Sequence, residues 1–98
     1  MKRNWRKEWE YLIALAEKYH LKVDLVTSYF LHDYVGMNPE AAREMGFHIP
    51  ENTIWILKSL PLSAKCHTLH HEIAEYHHMK KGMKYYPAHV EALREEKK

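Results

Sequence analysis

The stretch from Ser63 to Lys81 constrains this chain more than any other. Ser63 is placed to cap a helix and Gly82 to stop it. An α-helix turns about 100° per residue, which sorts these side chains onto two surfaces. Leu69, Ile73 and Tyr76 cluster on one, the natural contact with a core. His67, His71, Glu75 and His78 form a stripe on the other, at i, i+4, i+8 and i+11, with Glu72 beside it. Five of the nine histidines lie between His67 and His78, and that density marks the segment for metal binding or acid–base chemistry.

The rest of the chain has to supply the core for that helix, and 98 residues make one domain, 1–98, with a thin one. Apolar residues are 46% of the sequence, enough to exclude disorder. The single cysteine, Cys66, excludes an internal disulfide framework and reads as a small buried hydrophobe. The N-terminal run MKRNWRKEWEYLIALAEKYH has no uninterrupted apolar stretch and no small-residue cleavage site, so it does not read as a signal peptide. No segment has the length of a membrane span. The expectation is a soluble cytoplasmic protein without a membrane partner. Net charge is +2 and the charges are interleaved, which argues against a nucleic-acid partner. The closing run REEKK reads as a solvated helix end.

Residues 4–20 carry Trp5, Trp9, Leu12, Ile13, Ala16 and His20 at the spacing of one buried helical face. Residues 22–28 alternate as a strand, with Val23 and Leu25 on one face. The following YFLHDYVG fits either a longer strand or a turn toward Gly36. Asn38 then caps a short helix, PEAAREM, with Pro39 at its first position and Gly46 at its end. Residues 52–58 form a second strand between Pro50 and Pro61. After Gly82, Tyr85-Tyr86-Pro87 opens a last helix carrying Ala88, His89, Ala92 and Leu93. The order predicts an α+β domain: N-terminal helix, short β-sheet, histidine-bearing helix and C-terminal helix.

The histidine helix has a specific chemical use. Ligands at i and i+4 point from one helix face at one ion, and a carboxylate directly after the first ligand is offset so that it reaches a metal-bound water. His71-Glu72-Ile73-Ala74-Glu75 has this spacing, with Glu75 where the usual H-E-x-x-H signature has its second histidine. A carboxylate also ligates zinc, and its charge lowers the Lewis acidity of the metal. A third ligand is required. The turn at Gly82 brings His89 back toward the helix, and His67 and His78 on the His71 face are the alternatives. His70 and His77 point to the flank or the core side.

The segment NTIWILKSLPLSAKCHTLHHEIAE resembles the strand–loop–helix segment of the zincin metallopeptidases, through Thr68, Leu69, His71 and Glu72. A very short chain without spans and a histidine on the following helix are similar to the minigluzincins, soluble single-domain relatives of membrane gluzincin catalytic domains. The resemblance covers roughly residues 50–93, and it departs at Glu75. It implies a small zincin-like domain and a zinc-dependent metallopeptidase acting on a peptide or protein. It further implies His71, Glu75 and His89 as metal ligands and Glu72 as catalytic general base and acid. Latency is implied as well, with residues 90–98 covering the cleft or swapping with a neighbour in self-association. An extended substrate would pair with the strand at 52–58. The alternative is a catalytically silent metal-binding regulatory or interaction module. Nucleic-acid binding through the Lys and Arg residues is the weakest reading.

Overall fold

The computed structural model describes residues 3–96. Asn4 starts the first helix, α1 (Trp5–Lys18), by accepting a hydrogen bond from the Lys7 amide at 3.1 Å. Leu12 and Ala16 are its buried points, and Trp5, Trp9 and Ile13 pack beside them. His20, expected on the same face, is exposed instead. Its backbone is left-handed (φ 62°) and turns the chain, so that Leu21, not His20, enters the core.

The first strand, β1 (Lys22–Val26), is shorter than the expected 22–28 because Ser28 begins a single helical turn, α2 (Ser28–Leu31). The ambiguous stretch is therefore a turn, leading to the two-residue strand β2 (Gly36–Met37). The next helix, α3 (Pro39–Met45), has the expected ends. The Asn38 side chain accepts from the Glu40 and Ala41 amides, Pro39 follows, and Gly46 closes the helix in the left-handed region at φ 83°.

Strand β3 (Thr53–Leu57) is followed by the histidine helix α4 (Leu62–Lys80). Its N-cap is Pro61 rather than Ser63. The extended Pro61 feeds directly into the helix, its carbonyl accepts from the Lys65 amide at 2.9 Å, and Ser63 falls inside the first turn. Gly82, at φ 109°, turns the chain after α4. The last helix, α5 (Tyr85–Glu96), starts where the Tyr85 amide donates to Glu44 of α3 at 3.0 Å. Pro87 sits in its first turn, where no intrahelical partner awaits its missing N–H.

The sheet order is β1-β3-β2. β3 runs parallel to β1, with Val23 beside Ile54 and Leu25 beside Ile56. It runs antiparallel to β2, with Gly36 opposite Ile56 and Met37 opposite Trp55. Both faces of β3 are covered. Ile54 and Ile56 join Leu12, Ala16, Leu69 and Ile73 in one core cluster, and Trp55 joins Met37, Ala41, Met79 and Ala88 in another. A strand buried on both faces needs the unbroken apolar run that β3 carries. Leu25, paired with Ile56 but on an outer strand, stays 44% exposed. Among the described residues the five helices and the mixed three-stranded sheet make an α+β fold. None of the described helices is long and apolar enough to cross a membrane.

One expectation is corrected. β3 is paired along its length with β1 and at Trp55 and Ile56 with β2, so the strand expected to take an extended peptide is the central strand of the sheet and not its edge. The sheet edge beside the histidine helix belongs to β2.

Candidate metal centre

Three side chains from α4 and α5 converge. His71 Nε2 lies 3.0 Å from Glu75 Oε2 and 3.1 Å from His89 Nδ1, and His89 Nδ1 lies 2.8 Å from Glu75 Oε2. His71 and Glu75 are one helical turn apart and project together, while the Gly82 turn lays α5 back across α4 and delivers His89. These are the three residues expected from the sequence, and together they can hold a metal ion. Tetrahedral zinc bonds of about 2.0–2.1 Å set neighbouring ligand atoms about 3.3 Å apart, a few tenths of an ångström wider than this triangle.

The close contacts of the triangle require a hydrogen or a cation between its lone pairs. His71 Nδ1 is 2.7 Å from Glu96 Oε1. A carboxylate there can only accept, so Nδ1 carries the proton and a neutral ring turns the Nε2 lone pair into the triangle. Glu75 Oε2 also brings lone pairs, and so does His89 Nδ1 in the tautomer protonated at Nε2. A hydrogen or a cation has to sit among such atoms for them to lie this close. Without a metal, a proton takes that role. Burial alone would lower the His71 pKa, but the Glu75 hydrogen bond and the charges of Glu72, Glu75 and Glu96 outweigh it and raise it to about 9.

Glu72 lies beside the triangle, buried under β2. Burial, then the negative charge of Glu75, push its carboxyl up to about 8, against the opposing pull of His71 and of hydrogen bonds from Asn38. The close approach of β2 depends on Gly36. A Cβ there would stand 2.6 Å from Thr68 Cγ2, 3.1 Å from Glu72 Cγ and 3.2 Å from Glu72 Oε2. Next to these residues opens a cavity of about 400 Å³, walled on its apolar side by Tyr34, Val35, Met37, Tyr85 and Leu93. Tyr85 stacks on the His89 ring at 5.5 Å, and burial, reinforced by Glu75 and Glu72, pushes its hydroxyl up to about 12, so it stays protonated.

The remaining histidines stand apart. His67 is exposed, with its ring edge-on to Trp5 at 5.3 Å. His78 pairs with Glu95. Neither belongs to the triangle, whose third corner is His89. His70 is exposed and His77 lies against Tyr19. Cys66 is buried, its thiol facing the Trp5 carbonyl at 3.4 Å.

No family model, curated protein or solved structure matches the chain.

Two further contributors come from tertiary packing. The sequence marks Asn38 only as the cap of α3, yet its amide also donates to Glu72 Oε1 and Glu75 Oε1, both at 3.0 Å. Nothing in the sequence links a cap to carboxylates more than thirty positions downstream. Glu96 belongs, by composition, to a solvated tail. In fact Glu95 and Glu96 both turn onto α4, and Glu96 orients His71. A signal for Glu96 does exist: it follows His89 at i+7, on the same face of α5. Lys97 and Lys98, the end of the segment expected to cover the cleft, lie outside the described residues.

Proposed function

We propose that the protein is a zinc-dependent metallopeptidase of the zincin type, with His71, Glu75 and His89 as ligands and Glu72 as general base and acid. The observation that carries this reading is the triangle of lone-pair donors at 2.8–3.1 Å with a second buried carboxylate beside it. When bound, a zinc ion in such a set supplies Lewis acidity to a water and a scissile carbonyl. Glu72 takes the proton of the attacking water and passes it to the leaving amine, a task suited to a carboxyl whose burial raises its proton affinity above the usual carboxylate range. The apolar cavity wall receives a substrate side chain.

Glu72→Ala is the direct test. The variant is expected to keep stoichiometric zinc and to lose peptide hydrolysis by about 100-fold or more. Hydrolysis at the wild-type rate would remove Glu72 from the mechanism.

A second reading, a metal-binding module without turnover, is favoured by one observation. Leu93 and Glu96 near the end of α5 form part of the cavity wall, so the segment that completes the metal site also narrows access to it. The same placement supports a latent form held by the C-terminal segment, or self-association through it. Zinc binding with no cleavage of unstructured peptides, by the full chain or by forms shortened beyond Glu96, would select the silent module.

A further inference from the structure

We propose that Asn38 is a positioning residue that divides the work between the two buried carboxylates: it commits Glu75 to the metal through one oxygen and keeps one oxygen of Glu72 free. This rests on the reading of His71, Glu75 and His89 as a metal centre. Asn38 is fully buried, at 0% exposure. Its Oδ1 accepts from the Glu40 and Ala41 amides at 3.0 and 2.9 Å. Those two N–H groups fix which way the amide faces, because only its oxygen can accept. Its nitrogen therefore faces α4 with two hydrogens, one for Glu72 Oε1 and one for Glu75 Oε1.

Each carboxylate is thus tied by Oε1 and left with Oε2. For Glu75 the spare oxygen is the one in the ligand triangle. For Glu72 it lies against Gly36, beside the cavity. Two errors are blocked by this arrangement. Glu75 cannot swing both oxygens onto the ion and fill the position needed by water, and Glu72 cannot turn in as a competing ligand. Capping α3 does not by itself call for asparagine, since Ser and Asp cap comparably. Neither offers two N–H donors on the far side.

Those two residues supply the test. Asn38→Ser keeps a capping oxygen and removes both donors. Asn38→Asp keeps shape and cap and puts a third carboxylate against the other two. Wild type and both variants are loaded with Co²⁺, a spectroscopic stand-in for zinc. Its visible bands are strongest in four-coordinate sites, and affinity is read by chelator competition. The variants are expected to keep their helical circular dichroism and to bind Co²⁺ about 10–100-fold more weakly. Their visible bands should be weaker as coordination expands, with Asn38→Asp the more affected. A folded variant with wild-type affinity and spectrum, even one that melts earlier, would reduce Asn38 to a helix cap. X-ray absorption on the Co²⁺-loaded wild type is a check that needs no variant: a bidentate Glu75 overturns the inference. Failure of the wild type to bind Co²⁺ or Zn²⁺ would instead remove the metal centre itself, and this inference with it.

Discussion

Two histidines seven residues apart on the same stripe of α4 each meet a carboxylate from the end of α5. His71 meets Glu96, and His78 meets Glu95. Residue types, helices and orientation are shared, yet the surroundings differ. The second ring nitrogen of His71 enters a triangle with Glu75 and His89, with Glu72 and Asn38 packed behind. His78 ends in a simple pair whose carboxylate is 39% exposed. Water screens such a pair, which is worth about 0–1 kcal/mol. Around His71 burial strips that screening, so the charges must be balanced by a proton or a cation. Histidine density on a helix therefore does not make a site; convergence of buried lone pairs does.

The widest separation between the two is expected on truncation. His71→Ala should abolish stoichiometric zinc binding, whereas His78→Ala should keep it, as read by elemental analysis of protein purified without added metal. Equal zinc in both variants would erase the distinction.

A smaller contrast is expected at the partner carboxylates. Glu96→Gln removes the negative charge from the acceptor that holds the His71 tautomer and leaves a neutral amide, and zinc affinity should fall about 10–100-fold. Glu95→Gln should leave it within about twofold of wild type, as expected for a pair that contacts no ligand. Competition with a chromophoric chelator measures both.

The smallest effect is on pH dependence. In metal-free protein the His71 pKa is raised from 6.5 to about 9, so its stabilisation is fully present below about pH 6.5 and is lost as pH rises through about 9. Glu72, raised from 4.5 to about 8, acts in the same direction, because the folded state holds its proton longer than the unfolded chain. With chelator present, Tm should fall between pH 6.5 and 9. Saturating zinc should flatten that slope by displacing the His71 proton. A slope unchanged by zinc would separate the titration from the metal site.

Elements bounded by local chemistry are legible in the amino-acid sequence. Asn38, Pro39 and Gly46 frame α3 as their capping and backbone preferences dictate, and the apolar back of α4 follows from its period. Expectation and fold part company where a neighbour in space decides. Ser63 loses the cap to Pro61, and His20 leaves the buried face because the chain reverses there. The strand at 52–58 is central because β2, only two residues long, pairs with its other side. A two-residue strand has no period to detect.

The sequence by itself determined the α+β class, the two faces of α4, and the candidates His71, Glu72, Glu75 and His89, because helical spacing and turn residues are local properties. Tertiary structure alone decided that His89 and not His67 or His78 completes the triangle. It alone brought Glu96 to orient His71 and Asn38 to bridge Glu72 and Glu75. Those contacts join positions 14 to 37 residues apart through the Gly82 turn and the packing of β2 and α3 on α4. Which lone pairs share a buried space depends on where whole elements come to rest, and no spacing along the chain encodes that.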